Sequence, residues 1–235
     1  MAKPIAATGG RFMMWIPALK KGTALGFPKG WFFYVAGRGG VLGDVDADVV
    51  AAAFVYFRRD WLREQWETAR SVMPPKQAAA EYSAACWDWG REHLAGVDGL
   101  PRLVELLSRA ADAADPAGAP LFAGWRALPR PEDPEGATAQ LLMVMREHRG
   151  GMHAMTVLAE GLTPLEAVIT GGGEANAKFF SWPEPYPDPA PLRAAYDAAE
   201  QRTTRLASRA YEALSDQERG ELVELVTTVQ SHLDG

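Results

Sequence analysis

Met152-His153-Ala154-Met155-Thr156-Val157-Leu158-Ala159-Glu160-Gly161-Leu162-Thr163-Pro164-Leu165-Glu166-Ala167-Val168-Ile169-Thr170 carries the most regular supersecondary signal in the sequence. Met152 to Glu160 reads as a helix, Gly161-Leu162 as a turn, and Thr163-Pro164-Leu165-Glu166 as the start of a second helix. Thr163 and Glu166 have capping-box spacing, in which each side chain accepts from the other residue's backbone N–H. Pro164 falls at the first helical position, where its missing N–H costs nothing. Two helices joined by a tight glycine turn have helix-turn-helix geometry. Gly171-Gly172-Gly173 then stops the second helix.

Working outward, the flanking segments also read as helix. Ala137 to His148 is one, ending before the Gly150-Gly151 break. Residues 174–191, with Phe179, Phe180, Trp182, Tyr186 and five prolines, read as irregular, and two terminal helices follow at about Leu192–Leu214 and Ser215–Leu233, the second with a capping box at Ser215 and Glu218. Upstream, Val49, Val50, Ala53, Phe54, Phe57, Trp61, Leu62 and Trp66 recur at helical spacing and predict one helix from Asp46 to Val72. Two more are expected from Gln77 to Leu94 and from Leu100 to Ala114. Residues 1–43, rich in glycine and aromatics, read as loops with short helical or extended pieces. Three prolines between Leu128 and Pro134 mark a boundary, since proline resists both helix and sheet. The expectation is a mostly α protein with little β: a helical domain over 1–130 and a degenerate winged-helix-like domain over 131–235.

Composition sets the outer limits. The 235 residues are 48% hydrophobic, enough for a core without covalent staples. One cysteine, Cys86, excludes a disulfide framework and points to a reducing cytoplasm. No apolar run approaches the roughly 18 residues of a membrane span, and Pro17 and Lys20-Lys21 interrupt the early apolar stretch that a cleaved leader would need. The formal charge of −6 argues against a nucleic-acid binder acting through net charge. Locally the same holds. Between Gly150 and Ala177 there is no Lys or Arg, while Glu160, Glu166 and Glu174 are present. A recognition helix needs donors for base edges and cations for phosphates, so DNA reading by this helix pair is not expected.

Residues suited to chemistry cluster before that helix pair. Arg146, Glu147, His148, Arg149 and His153 fall within eight positions. Arg146 and Arg149 would receive a carboxylate, sulfate or phosphate, Glu147 is a candidate base, and His153 titrates near neutrality. The alternative is a set of solvated salt bridges at a helix end. Arg38, inside Gly37-Arg38-Gly39-Gly40, is a second oxyanion fork that glycines would leave open to a ligand, or else a loop tie to Asp44 or Asp46. Asp88, between Trp87 and Trp89, is a carboxylate whose pKa apolar surroundings would raise. Tyr56 and Trp182 are aromatic candidates for substrate contact, although aromatics at helical spacing more often build a core. Cys86 reads as a small buried apolar residue. No metal-ligand spacing and no Rossmann or P-loop glycine pattern is present, so neither metal nor cofactor is expected.

Tyr34-Val35-Ala36-Gly37-Arg38-Gly39-Gly40-Val41-Leu42-Gly43, followed by Val49 to Phe57, resembles the amino-terminal half of an actinobacterial helix-turn-helix family, whose members read Tyr-Phe-Ala-Gly-Arg-Ala-Ala-Pro-Leu-Gly there. Arg146-Glu147-His148-Arg149-Gly150-Gly151-Met152-His153 resembles that family's second signature, Arg-Glu-x-Arg-Gly-Asp-Gly-His. The family architecture is similar to a degenerate MarR-type winged helix, and Ala213 to Arg219 looks MarR-like. The departures are Gly151-Met152 for Asp-Gly, Gly39-Gly40 for a small apolar pair, and the segment 174–191 in place of the wing hairpin. The resemblance implies either a ligand-responsive regulator or, with DNA reading lost, a biosynthetic protein holding an anionic small molecule, carrier-linked in one version, beside a neighbouring subunit; a non-catalytic subunit that stabilises an enzyme is the third alternative. One concrete form of the second reading is similar to the aziridine-forming cyclases of azinomycin-type pathways, where an amine displaces a sulfate without a cofactor.

Overall fold

Helix is the only regular structure: twelve α-helices and four short 3-10 segments, with no strand. The computed structural model describes residues 1–235. The helices are α1 (Ala2–Gly10), α2 (Ile16–Ala24), α3 (Gly30–Gly39), α4 (Ala47–Phe54), α5 (Arg59–Val72) and α6 (Pro75–His93), then α7 (Leu100–Ala113), α8 (Pro120–Arg126), α9 (Pro134–Ala159), α10 (Pro164–Phe179), α11 (Arg193–Ser208) and α12 (Asp216–Asp234). The all-helical expectation holds, and the glycine-aromatic stretch before residue 43 is itself helical.

The 26-residue α9 is the axis of the molecule, with α1, α6, α7, α8 and α11 packed around it. Every residue from Gly136 to Met145 on it is buried, as expected for a helix surrounded by others. Asp133 caps its first turn by accepting from the Gly136 N–H at 2.8 Å. The proline-rich segment 128–134, expected as the domain boundary, runs into that cap. One core of 49 buried residues draws on both sides of it. Two small satellite clusters, one around Val157 and Leu162 and one around Val168 and Ile169, seat α10. Both capping boxes are formed as the sequence indicates, at Thr163/Glu166 and Ser215/Glu218.

Three boundaries differ from the sequence reading, each for a packing reason. The Gly150-Gly151 break does not exist. Both glycines are helical inside α9, because a Cβ on Gly151 would lie 2.5 Å from the Ala119 Cβ, and that close approach offsets the helical cost of glycine. The helix expected from Asp46 to Val72 is broken at Val55, which has φ 54° and ψ −60°, with the Tyr56 N–H donating to the Phe54 carbonyl at 2.6 Å. That is a γ-turn of the rare, strained hand, on a β-branched residue. Finally, α10 kinks at Gly173 (φ 69°) and continues to Phe179.

The glycines around Arg38 also serve packing, not ligand approach. All of Phe33 to Gly40 is buried. A Cβ on Gly37 would lie 2.3 Å from the Tyr82 Cβ, and one on Gly40 would lie 2.0 Å from the Pro75 carbonyl oxygen. Gly9 seats α1 on α9 in the same way, 2.3 Å from the Leu142 carbonyl oxygen. Gly9→Ala should therefore cost roughly 1–3 kcal/mol in urea unfolding through overpacking. Gly220→Ala, at an exposed position of α12 with nothing within 4 Å, should gain about 0.5–1 kcal/mol.

Candidate functional site

Arg146, Gly150, His153 and Ala154 lie three or four residues apart on α9 and so share one face. That face forms one side of a cavity of about 430 Å³. Opposite are Lys3, Ala6 and Gly10 of α1, and Phe54 to Tyr56 of the γ-turn close an end. The small residues of α1 and Gly150, whose Cβ position is empty for 4 Å around, leave the space open. Six of the eight residues singled out from the sequence line this one cavity: Arg38, Tyr56, Arg146, Glu147, Arg149 and His153.

Its floor is a buried ion pair. Arg38 Nε and Nη2 donate to the two carboxylate oxygens of Glu147 at 2.8 and 2.9 Å, and Arg38 Nη1 donates to the Tyr34 hydroxyl at 3.1 Å. The guanidinium lies 4.4 Å from the centroid of the Phe54 ring. Arg146 Nη1 adds a further bond to Glu147 Oε1 at 3.0 Å. Burial disfavours charge on both partners, yet the attraction wins: Arg38 is raised above the ordinary arginine range and Glu147, beside two guanidiniums, is held below the ordinary carboxylate range. This corrects two expectations. The Arg38 fork is spent on Glu147 and does not face a ligand, and Glu147, ionised and fully engaged, is a counter-ion and no general base.

A second cluster sits above it. Arg149 Nη2 donates to Glu200 Oε2 at 2.9 Å, and the same carboxylate meets Lys3 Nζ at 3.2 Å and His153 Nδ1 at 3.4 Å. Burial, together with Arg149 and Lys3, pushes the His153 imidazole down to about 4 against the opposing pull of Glu200. It is thus neutral at pH 7, and does not titrate near neutrality as the sequence suggested. Its tautomer follows from its neighbours. Nδ1 lies 3.1 Å from Thr203 Oγ1 and 3.4 Å from Glu200 Oε1, and because an ionised carboxylate only accepts, the tautomer with Nδ1–H is favoured. Nε2 is left as the basic nitrogen.

Two buried donors in the cavity lining have no hydrogen-bond partner, the Tyr56 hydroxyl and Arg149 Nε. Burial raises the phenol well above its usual range, so Tyr56 stays a donor. An unpaired buried donor costs on the order of 1–3 kcal/mol; both atoms are closed to solvent here, so a ligand oxygen would meet them only after a side-chain shift.

Asp88 and Trp182 lie outside the cavity. Asp88 is over half exposed and pairs with Arg91 at 3.1 Å, on the solvent side of α6, so the apolar setting expected for it is absent. Trp182 Nε1 donates to the Tyr56 carbonyl at 2.8 Å and buttresses the γ-turn from behind. Cys86 is buried as expected, its thiol pushed up by burial. Lys3, Glu200 and Thr203 went unread in the sequence. The signal for the last two was the helical spacing of Tyr196, Glu200 and Thr203 along α11; for Lys3 there was none.

Glu147→Ala should destabilise the fold by about 3–5 kcal/mol, because it strands a buried guanidinium. Because the folded-state pKa of His153 is lowered, its contribution to stability is complete above pH 6.5 and is lost as pH falls towards 4. Unfolding free energy should drop by about 2 kcal/mol between pH 7 and 5 from this group, and His153→Gln should flatten that slope.

No curated protein and no solved structure matches the chain. The sequence profile of a helix-turn-helix family matches residues 10–185, which span α2 to α10 and the floor and γ-turn wall of the cavity. The chain belongs to that helix-turn-helix family.

Proposed function

We propose that this protein is a receptor for a small anionic molecule, built on a helix-turn-helix scaffold that no longer reads DNA. The observation that carries the reading is a cavity lined by four cations, Lys3, Arg38, Arg146 and Arg149, against one lining carboxylate, Glu147, with Glu200 pairing Lys3 and Arg149 from beside it. The floor pair holds Arg146 in place, the excess positive charge favours an anion, and the low dielectric strengthens each bond made there. Against DNA stands the second helix of the motif. Its exposed surface over residues 171–176 offers three glycines and Glu174 but no cation, and counterion release gives it nothing to gain from a phosphate backbone.

Neutral His153 supports a second, catalytic reading. In a cofactor-free cyclisation an amine nitrogen would form a bond to the neighbouring carbon as the C–O bond to sulfate breaks. The sulfate would leave with the bonding pair towards Arg146 and Arg149, and the ammonium proton would pass to His153 Nε2. With Glu147 committed and Asp88 elsewhere, His153 is the remaining acceptor among the residues considered. In this reading the substrate arrives on a carrier protein and a second subunit completes the enzyme.

Calorimetric titration with acetate, sulfate and phosphate at low ionic strength tests the receptor. One anion per chain should bind, at least about 10-fold more weakly in Arg149→Gln and Arg146→Gln. Binding by neither the native chain nor any variant would overturn the proposal. In gel shifts at moderate salt, fragments from the gene's own upstream region should run unretarded.

A further inference from the structure

A side chamber of about 150 Å³ opens beside the cationic cavity, and Gly10, Arg38, Phe54, Tyr56 and Arg146 border both. Its own walls are Met13, Met14, Tyr34, Phe179 and Phe180. Its volume is about that of a cavity that accepts a molecule the size of benzene, with Arg38 and Arg146 on the side shared with the cationic cavity. The walls suit a flat guest: three aromatic rings offer edges and faces, and two thioethers adapt to its outline.

The chamber is also held firmly. Phe180 is fixed by its carbonyl, which accepts from the Arg58 N–H at 3.0 Å, and by its ring, which meets Phe57 edge-on with centroids 4.8 Å apart. Phe179 packs edge-on against Trp31, with centroids 5.3 Å apart. Phe179 ends the continuation of α10 beyond the Gly173 kink and Phe180 caps it, so the segment that replaces the family's wing hairpin supplies two walls of this chamber.

We infer that the anion received by this cavity is an acid bearing a single six-membered aromatic ring, the ring in the chamber and the acid group at Arg146, Arg149 and Tyr56. This rests on the anion-receptor reading and names its ligand class. Polar and apolar ends of one molecule are then recognised on opposite sides of the junction at Gly10.

Calorimetry on the full chain with acetate, phenylacetate and naphthylacetate tests it. Burying a phenyl ring should make phenylacetate on the order of 50-fold tighter than acetate, and the naphthyl ring, too large for the chamber, should lose that gain. Gly10→Leu, at a position with helical backbone and 3.5 Å of clearance to Arg146, should plug the junction and erase the phenyl advantage while acetate still binds. Met14→Ala, which enlarges the chamber without touching the cations, should shift the preference towards naphthylacetate. Phenylacetate no tighter than acetate, with acetate bound, would overturn the ring assignment and leave the anion site standing. Failure of all the acids to bind would overturn both.

Discussion

The bond between Arg38 and Glu147 is the constraint on which the rest of this structure depends. It joins α3 to the central helix across 109 residues of sequence, in a setting where either charge alone would be untenable. Such a pair adds little net stability over a well-packed apolar one, but it fixes geometry. Three donors of one guanidinium meet Glu147 and Tyr34, and the same carboxylate then holds Arg146 at the cavity wall. The pair is therefore infrastructure for the cavity, with the Arg149–Glu200–His153 cluster one layer above it.

That layering explains what was and was not legible in the sequence. The clustering of Arg146, Glu147, Arg149 and His153 located the site, because residues close in sequence on one helix must be close in space. Their roles were not legible. Glu147 looks like a base until its partner, far off in sequence, is known. His153 looks like a neutral-pH titrator until Arg149 and Lys3 are seen beside it and its burial is known. Glycine misled in a consistent way. The pairs at 39–40 and 150–151 suggest exposed loops, since glycine breaks isolated helices. Inside a protein this helical, glycine also lets helices touch backbone to side chain, and nothing local separates the two uses. The capping boxes at Thr163 and Ser215 were the most faithful signals, for they are satisfied within four residues and need no tertiary partner.

The helix pair read from the sequence over residues 152–170 is part of the architecture. Its first helix is the end of the 26-residue α9, and its second, seated on small satellite clusters, leads through a kink into the aromatic wall of the side chamber. The exposed stretch 171–176 of the second helix carries no cation, while Lys3, Arg38, Arg146 and Arg149 gather at the cavity.

The burial of Cys86 has a practical corollary. With its thiol enclosed and its ionisation suppressed, the native chain offers maleimides and disulfide reagents almost nothing to attack. A cysteine engineered at the rim, at exposed Lys3 for example, would be the single reactive handle on the protein. Fluorophores or spin labels could be placed beside the cavity without first removing anything from the core.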